Sequence, residues 1–293
     1  MATAKHLSAG REIGRPGRWS GRLRRFVVSC TRIYLAVLLL LFLLENKLIF
    51  PAPRFPSGDW EPRWLKYEDV SFTAADGTKL HGWYFDHPAP QGYLLYCHGN
   101  AEHVAYVAPI AEQLRSSLDV AVFAFDYRGY GRSEGSADEA GILADGGAAH
   151  RWLSQRAQVA PDQIILMGRS IGGAVAVDLA DKHHSRVMIL QSTFPSMPDV
   201  AARLHWWAPV RWLMRTQLNS AEKISRFHGS LFQSHGTIDE LIPLSFGRRL
   251  FDAAPTADKQ FLVFDGLGHN DYPPDDYFDR LREFIDRVSA GNQ

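Results

Sequence analysis

Two serines occupy nearly identical five-residue stretches, GRSEG at 131–135 and GRSIG at 168–172. Both stretches match G-x-S-x-G, the pattern of a serine nucleophile at the sharp turn between a strand and a helix. Such a turn exposes the hydroxyl, and the free N–H groups of the helix N-terminus favour an oxyanion beside it. The chemistry to expect is attack of a serine hydroxyl on an acyl carbon, for which one serine is enough.

Of the two serines, Ser170 has the sequence context of a nucleophile. The apolar run IILM leads directly to Gly168, and the small-residue helical pattern IGGAVAVDLA begins right after the serine. Ser133 lies in a longer connection between a strand and a helix. The residue after it is Glu134, whose carboxylate would oppose a developing negative charge. We therefore expect Ser170 to be the nucleophile and Ser133 to belong to a structural loop.

A serine hydroxyl is activated when an imidazole accepts its proton and a carboxylate orients that imidazole. His269 is the candidate base, because it lies in the loop GLGHND directly after the last predicted strand. His235 ends the preceding strand and is predicted to be a buried structural residue. The other histidines downstream of the serine have ordinary structural explanations: His183, His184, His205 and His228.

Asp239, in the loop HGTIDELIP, is the candidate acid. It precedes His269 by 30 residues, which leaves room for one helix and one strand. Glu240 and Asp271 compete with it. Glu240 is expected to point elsewhere, and Asp271 follows the histidine too closely to reach back to its Nδ1. The resulting triad of Ser170, Asp239 and His269 needs neither a metal nor a cofactor, and we expect none.

Two backbone N–H groups are candidates for the oxyanion hole. One belongs to Ile171, which follows the nucleophile, and the other to Asn100, in the loop HGNAEH after a predicted strand. Each such donor typically contributes ~3–4 kcal/mol to transition-state stabilisation. For His98, in the same loop, the alternative is a purely architectural role.

The order of elements predicts an α/β fold. Two β-like segments flank Asp76-Gly77, the signal of a hairpin. Ser136 and Glu139 have the spacing of a capping box for the helix that follows. Farther on, apolar strands alternate with helices, which predicts a mostly parallel central sheet with helices on both faces. The strands are expected at 93–98, 120–126, 163–168, 186–191, 230–236 and 259–265, and the helices at 104–117, 137–157, 171–182 and 275–288.

With these residues in place, the chain resembles the α/β-hydrolase superfamily from about residue 66 to 288. The motifs HGNAEH, FDYRGYGRSEG, GRSIGG, HGTIDELIP and GLGHND follow the family's order and spacing. The resemblance is nearest to membrane-anchored serine hydrolases without a large cap, a branch that includes protein depalmitoylases and uncharacterised bacterial members. It implies hydrolysis of acyl esters or thioesters, and a structural role for the DYRGYGRSEG loop.

Two other functions share part of this evidence. A serine peptidase of the prolyl-oligopeptidase type has the same motifs, but it usually carries a gating domain for which this chain has no room. A non-catalytic membrane scaffold that keeps the hydrolase body for binding is the alternative from a different class, and an intact triad argues against it. Dehalogenases and epoxide hydrolases of this fold need an aspartate where Ser170 stands.

The segment LHWWAPVRWLM at 204–214 contains Trp206, Trp207 and Trp212. It lies between strands 186–191 and 230–236, in a connection too short for a large cap domain. Three interpretations remain open for these tryptophans. They line an acyl-binding rim, they rest on a bilayer interface where tryptophan is favoured, or they belong to an amphipathic helix that covers the sheet.

The N-terminus predicts a membrane anchor. Residues 1–25 contain seven basic side chains (Lys5, Arg11, Arg15, Arg18, Arg22, Arg24 and Arg25) and one acid. The stretch 26–44 is apolar apart from Arg32, and as a helix it is about 28 Å long, close to the ~30 Å of a bilayer core. We expect an uncleaved anchor with the N-terminus in the cytoplasm and the hydrolase body on the periplasmic or luminal side. A cleaved signal peptide or a merely membrane-associated segment is the alternative.

The remaining chain divides into a linker at 45–65 and a hydrolase domain at 66–290. All residues after position 25 together contain 25 basic and 31 acidic side chains, so the charge of this part gives no reason to expect nucleic-acid binding. Cys30 and Cys97 are too few for a disulfide framework, and both are expected to be buried. The predicted partners are therefore a small-molecule or lipid acyl ester or thioester as substrate, and a membrane through the N-terminal helix.

Overall fold

A computed structural model describes residues 18–290. The chain divides after Leu44 into two compact units. Helix α1 (Arg18–Ile49) begins in the first unit and ends in the second. Three of the basic residues on which the expected orientation depends lie outside the described residues: Lys5, Arg11 and Arg15.

The apolar surface of α1 is open. Residues Gly21–Ile49 form a helix long and apolar enough to cross a membrane, and the most apolar stretch within it is entirely unburied. The core helix of a soluble protein would be covered, so this helix is not one. A signal sequence near the N-terminus can also be long and apolar, and it stays the alternative. Cys30 is exposed on this helix, and the prediction that it is buried is wrong. Cys97 is buried as expected.

Eight strands form one sheet in the order β1-β2-β4-β3-β5-β6-β7-β8. They are β1 (Glu68–Thr73), β2 (Lys79–Phe85), β3 (Tyr93–Cys97), β4 (Ala121–Asp126), β5 (Ile165–Arg169), β6 (Val187–Gln191), β7 (Ser230–Gly236) and β8 (Lys259–Phe264). The predicted hairpin joins β1 and β2, β2 pairs antiparallel with β4, and the other pairs are parallel. The carboxyl ends of the parallel strands therefore meet at one edge of the sheet.

Helices cover both faces of this sheet. The helices that follow α1 are α2 (Val104–Leu118), α3 (Glu139–Ala157), α4 (Ile171–His183), α5 (Met197–Leu204), α6 (Val210–Leu213), α7 (Ser220–Ile224), α8 (Leu244–Ala253) and α9 (Asp275–Ala290). In β3, Leu94 and Tyr96 pack into a core with α2 and α9, while Leu95 and Cys97 pack into a second core with α3 and α4. The predicted mostly parallel sheet with helices on both faces is confirmed.

The start of α3 differs from the prediction. Its cap is Asp138, whose side chain accepts a 2.7 Å hydrogen bond from the Gly141 N–H, so the proposed capping box of Ser136 and Glu139 is wrong. The Glu139 carboxylate instead accepts the N–H groups of residues 217 and 218, at 2.6 and 2.8 Å. Glu139 therefore contacts a loop that is distant in the sequence, and the local sequence pattern does not reveal this contact.

The proline-rich stretch before β1 packs on the fold. The Arg54 guanidinium donates to the carbonyls of Gly129 and Gly135, at 3.0 and 2.9 Å, and Trp60 is buried. The loop that carries Ser133 is thereby held from outside by the chain that follows α1.

Candidate active site

Ser170 lies at the sharp turn between β5 and α4. Its backbone angles are φ 53° and ψ −120°, a conformation that costs energy for any residue other than glycine. The Ser170 N–H donates a 2.9 Å hydrogen bond to the Gln191 carbonyl, and the Thr193 hydroxyl donates a 2.8 Å bond to the Ser170 carbonyl. These contacts from the end of β6 hold the strained turn in place.

Glycine at two positions makes this turn possible. A Cβ atom on Gly168 would lie 2.3 Å from the Gly172 carbonyl oxygen. A Cβ atom on Gly172 would lie 2.1 Å from the Cys97 carbonyl oxygen. No side chain fits at either distance, so the first turn of α4 contacts the end of β3 directly.

The structure brings Ser170, His269 and Asp239 into one hydrogen-bonded row. His269 Nε2 lies 3.0 Å from Ser170 Oγ, and His269 Nδ1 lies 2.8 Å from Asp239 Oδ2. Ser170 follows β5, Asp239 follows β7 and His269 follows β8, so parallel strands place all three at the carboxyl edge of the sheet. The distance from Ser170 to His269 is within the reach that proton transfer from the serine to the imidazole requires, and Asp239 is within hydrogen-bond distance of the other imidazole nitrogen.

Asp239 is buried and remains ionised. Burial raises its pKa, but hydrogen bonds from His235, His269 and the Ile242 N–H outweigh that effect and hold the pKa well below its usual value. His235 is buried, as predicted, and its Nε2 lies 2.7 Å from the Ile242 carbonyl and 3.3 Å from Asp239 Oδ2. The contact between His235 and the acid was not predicted.

The competing residues lie elsewhere. Glu240 is exposed, and Asp271 accepts a 2.7 Å hydrogen bond from the Gly268 N–H within its own loop. The Ser133 hydroxyl is buried, donates to the Asp126 carbonyl at 2.7 Å and accepts the His81 N–H at 2.9 Å. Ser133 thus connects β4 to β2, with its hydroxyl occupied by backbone groups.

The two predicted oxyanion donors lie on the elements expected for them. Ile171 is the first residue of α4, so its N–H has no acceptor within the helix. Asn100 follows β3, and its side chain accepts a 2.6 Å hydrogen bond from the Tyr130 hydroxyl and donates to the Ile49 carbonyl. Buried His98 has its Nδ1 2.7 Å from the Gly99 carbonyl, and burial lowers the pKa of its imidazole, consistent with an architectural role.

An ion pair between Arg169 and Glu102 lies beside the serine–histidine–aspartate row and was not predicted from the sequence. The Arg169 guanidinium binds the Glu102 carboxylate and also donates to the His269 carbonyl at 2.7 Å. Glu102 in turn accepts the Gly99 N–H at 2.6 Å. Arg169 therefore joins the loop that follows β3 to the loop that carries His269. Two sequence features could have indicated this ion pair: the position of Arg169 inside G-R-S-I-G and the position of Glu102 inside HGNAEH.

The tryptophan-rich segment does not cover the sheet. Proline at position 209 separates α5 from α6, and Trp206 and Trp212 are 84% and 90% exposed. Trp207, 41% exposed, packs edge to face with His205. The interpretation as an amphipathic cover helix is wrong, because such a helix would bury these rings. Among the described residues, no group of three or more His, Cys, Asp or Glu side chains is placed to hold a metal ion.

A family model for the alpha/beta hydrolase fold matches residues 92–259. The chain is 36% identical over 230 residues to the uncharacterized protein Rv2307c of Mycobacterium tuberculosis, an alignment that covers 77% of this chain and 81% of that protein. It is 30% identical over 265 residues to protein bem46 of Schizosaccharomyces pombe, with 84% and 87% covered. The solved structure of the Pyrococcus furiosus esterase Pf2001 aligns with a TM-score of 0.65 at 22% identity, covering 81% of this chain and 99% of that chain. The likeness to that esterase concerns the fold alone.

Proposed function

Since the chain belongs to the α/β-hydrolase family, we propose that it is a serine hydrolase that cleaves acyl ester or thioester bonds through an acyl-enzyme. The observation that carries the proposal is the row Ser170–His269–Asp239, with separations of 3.0 and 2.8 Å. A serine beside an imidazole whose other nitrogen meets a buried carboxylate is the arrangement that nucleophilic catalysis needs.

In the proposed reaction, Ser170 Oγ attacks the acyl carbon while His269 Nε2 accepts the hydroxyl proton. The carbonyl oxygen becomes an oxyanion that accepts hydrogen bonds from the N–H groups of Asn100 and Ile171. Asp239, held ionised, stabilises the imidazolium and keeps the proton on Nδ1. The bond between the acyl carbon and the leaving oxygen or sulfur then breaks, and His269 gives its proton to the leaving alcohol or thiol.

Water completes the cycle. His269 accepts a proton from water, the hydroxide attacks the acyl-enzyme, and a second oxyanion forms in the same place. When that intermediate collapses, the acid product leaves and Ser170 recovers its proton from His269.

We further propose that α1 anchors the hydrolase domain to a membrane, with the N-terminus cytoplasmic and the domain across the bilayer. The seven basic residues before the apolar stretch, against Lys47 and Arg54 beyond it, support this orientation. An uncleaved helix is supported by Glu45, whose carboxylate accepts the Thr216 N–H at 2.7 Å and is buried in the folded domain. Cleavage after α1 would remove this contact.

Labelling with a fluorophosphonate tests the proposed chemistry. The full chain is expected to be labelled, Ser170→Ala to lose all labelling, and Ser133→Ala to keep it. Loss of labelling in Ser133→Ala with retention in Ser170→Ala would overturn the assignment. A panel of p-nitrophenyl esters, acyl-CoAs, lysolipids and peptide amides then tests the bond type. Hydrolysis of the amides alone would replace the esterase proposal with a peptidase.

A further inference from the structure

Residues 203–215, RLHWWAPVRWLMR, form what we call the tryptophan segment. Its large apolar side chains face outward at neighbouring positions: Leu204 is 48% exposed, Trp206 84%, Trp212 90% and Leu213 39%. A single exposed apolar side chain is ordinary, but a cluster of them marks a surface that contacts something else. Tryptophan at such a surface suits a boundary that is apolar on one side and wet on the other.

The charges of the tryptophan segment indicate which kind of surface it contacts. It contains Arg203, Arg211 and Arg215, all exposed, and no acidic residue. Arg211 and Arg215 pair with the buried carboxylates of Asp199 and Glu45, which fixes their stems while the side chains stay half exposed. Tryptophan is enriched at membrane interfaces, and basic side chains near a bilayer are attracted to anionic phospholipid headgroups.

Hydrogen bonds to Glu45 fix the position of the C-terminal end of the tryptophan segment. Glu45 is the first residue after the apolar stretch 26–44, and its carboxylate accepts the N–H groups of Arg215 and Thr216, at 3.0 and 2.7 Å. The end of the segment is therefore bound to the residue at which the chain leaves the apolar part of α1. Under the anchoring proposed above, the bilayer surface lies near this point of the fold.

The start of the tryptophan segment is connected to the edge of the sheet that carries the candidate active site. The segment follows α5, which begins six residues after the end of β6 at Gln191. The Gln191 carbonyl accepts the Ser170 N–H at 2.9 Å. The segment therefore belongs to the carboxyl edge of the sheet, the edge at which Ser170 lies.

We propose that the tryptophan segment is a second membrane contact, with Trp206 and Trp212 in the headgroup region of the anionic bilayer that α1 enters. Two contacts fix the orientation of the domain, whereas a single helix leaves it free to turn. The carboxyl edge of the sheet is then held against the bilayer. This contact does not depend on the proposed reaction, so it is tested by position and not by activity.

The test places a fluorophore on the full chain in nanodiscs of phosphatidylglycerol and phosphatidylcholine. Trp206→Cys and Trp212→Cys, each with Cys30→Ser, are labelled with a nitrobenzoxadiazole group; Cys97 is buried. The matched control is Ser289→Cys, exposed next to Val288, which lines a cavity at the amino ends of β6 and β7. Quenching is measured with a nitroxide on the lipid chain and with iodide in the water.

We expect the labels at 206 and 212 to be quenched several-fold more by the lipid nitroxide than the label at 289, and several-fold less by iodide. Replacing phosphatidylglycerol by phosphatidylcholine should weaken both differences. Labels as open to iodide as the control would overturn the proposal. So would labels shielded from iodide but untouched by the lipid nitroxide, because a second copy or another protein would then cover the segment. In unlabelled chains, brominated lipid should quench the wild type more than a Trp206→Phe, Trp212→Phe double variant.

Discussion

The Arg169 guanidinium donates a 2.7 Å hydrogen bond to the backbone carbonyl of His269. The two residues are 100 positions apart in the chain, and Arg169 immediately precedes the proposed nucleophile. Through its ion pair with Glu102, whose carboxylate accepts the Gly99 N–H, the same side chain also holds the loop of the proposed oxyanion donor. One arginine thus holds the loop of His269 and the loop of the proposed oxyanion donor in position relative to Ser170.

The first prediction concerns this positioning residue. Arg169→Ala should lower kcat by on the order of 10²-fold with little change in KM for a small soluble ester, because displacement of catalytic groups by about 1 Å has that cost. Arg169→Lys should recover only part of the loss, since an ammonium lacks the planar fork that serves two acceptors. Steady-state kinetics on a p-nitrophenyl ester measures both.

Arg226→Ala is the matched control for Arg169→Ala. Arg226 forms a comparable two-point pair with Asp181 and lines the cavity at the amino ends of the strands. Its replacement should leave kcat unchanged. If Arg169→Ala raised KM with kcat intact, the arginine would contact substrate and would not be a positioning residue.

The second prediction concerns the serine and the histidine as a unit. Ser170→Ala and His269→Ala should each lower kcat by on the order of 10⁶-fold, and the double variant should be no worse than either one. The 3.0 Å contact between them is the reason, because each group is ineffective without the other. Multiplicative losses in the double variant, measured with the same ester, would mean that the two residues act independently.

The third prediction separates the two acids near His269. Asp239→Asn should lower kcat by about 10⁴-fold, because an amide no longer selects the required imidazole tautomer. Asp271→Asn is the matched change in the loop that carries His269, and it should keep most activity since the Asp271 carboxylate accepts the Gly268 N–H. Circular dichroism should show both variants folded. The reverse ranking of activities would transfer the role of the acid to Asp271.

Much of the fold was predictable because its signals are local. Each apolar strand from β3 to β7 has a nearly continuous buried sequence, and the elbow combines a strand, a serine between glycines and a helix without a gap. The order of Ser170, Asp239 and His269 at strand ends was enough to predict their proximity, since parallel strands end at one edge. The structure brings these three together, and their roles stay a proposal.

The parts that escaped prediction depend on contacts between distant residues. Glu139 caps nothing in its own helix, and its carboxylate instead accepts the N–H groups of residues 217 and 218. The pair of Arg169 and Glu102 is invisible until β3 and β5 lie side by side. The exposure of Trp206 and Trp212 follows from a break between α5 and α6 that hydrophobic periodicity does not reveal.

The fourth prediction concerns pH and stability. Burial, together with a smaller effect of the His183 ring stacked on it at 4.2 Å between centroids, lowers the pKa of His150 to about 4. Between about pH 6.5 and 4, the unfolded chain therefore binds a proton at this histidine that the folded chain does not. Stability should fall as the pH drops through this window, by roughly 3 kcal/mol from His150.

His150→Gln should flatten this dependence. The midpoint of thermal unfolding, followed from pH 7.5 to 4.5, should decrease less in His150→Gln than in the wild type. His184→Gln is the control, because His184 is exposed at the end of the same neighbouring helix and should leave the slope unchanged. Equal slopes in all three chains would mean that His150 is protonated in the folded state.

The last prediction is the orientation of the chain in the membrane. Lys and Arg near an anchor stay in the cytoplasm, and seven lie before the apolar stretch against two, Lys47 and Arg54, just beyond it. Arg32 lies near the basic end and can extend toward it. In spheroplasts of an expressing bacterium, added protease should therefore digest a C-terminal tag and spare an N-terminal one. Replacing the basic residues before Phe26 with glutamine should weaken this protection, because the charge difference that sets the orientation is lost. A C-terminal tag that resists protease until the membrane is broken would place the hydrolase domain in the cytoplasm.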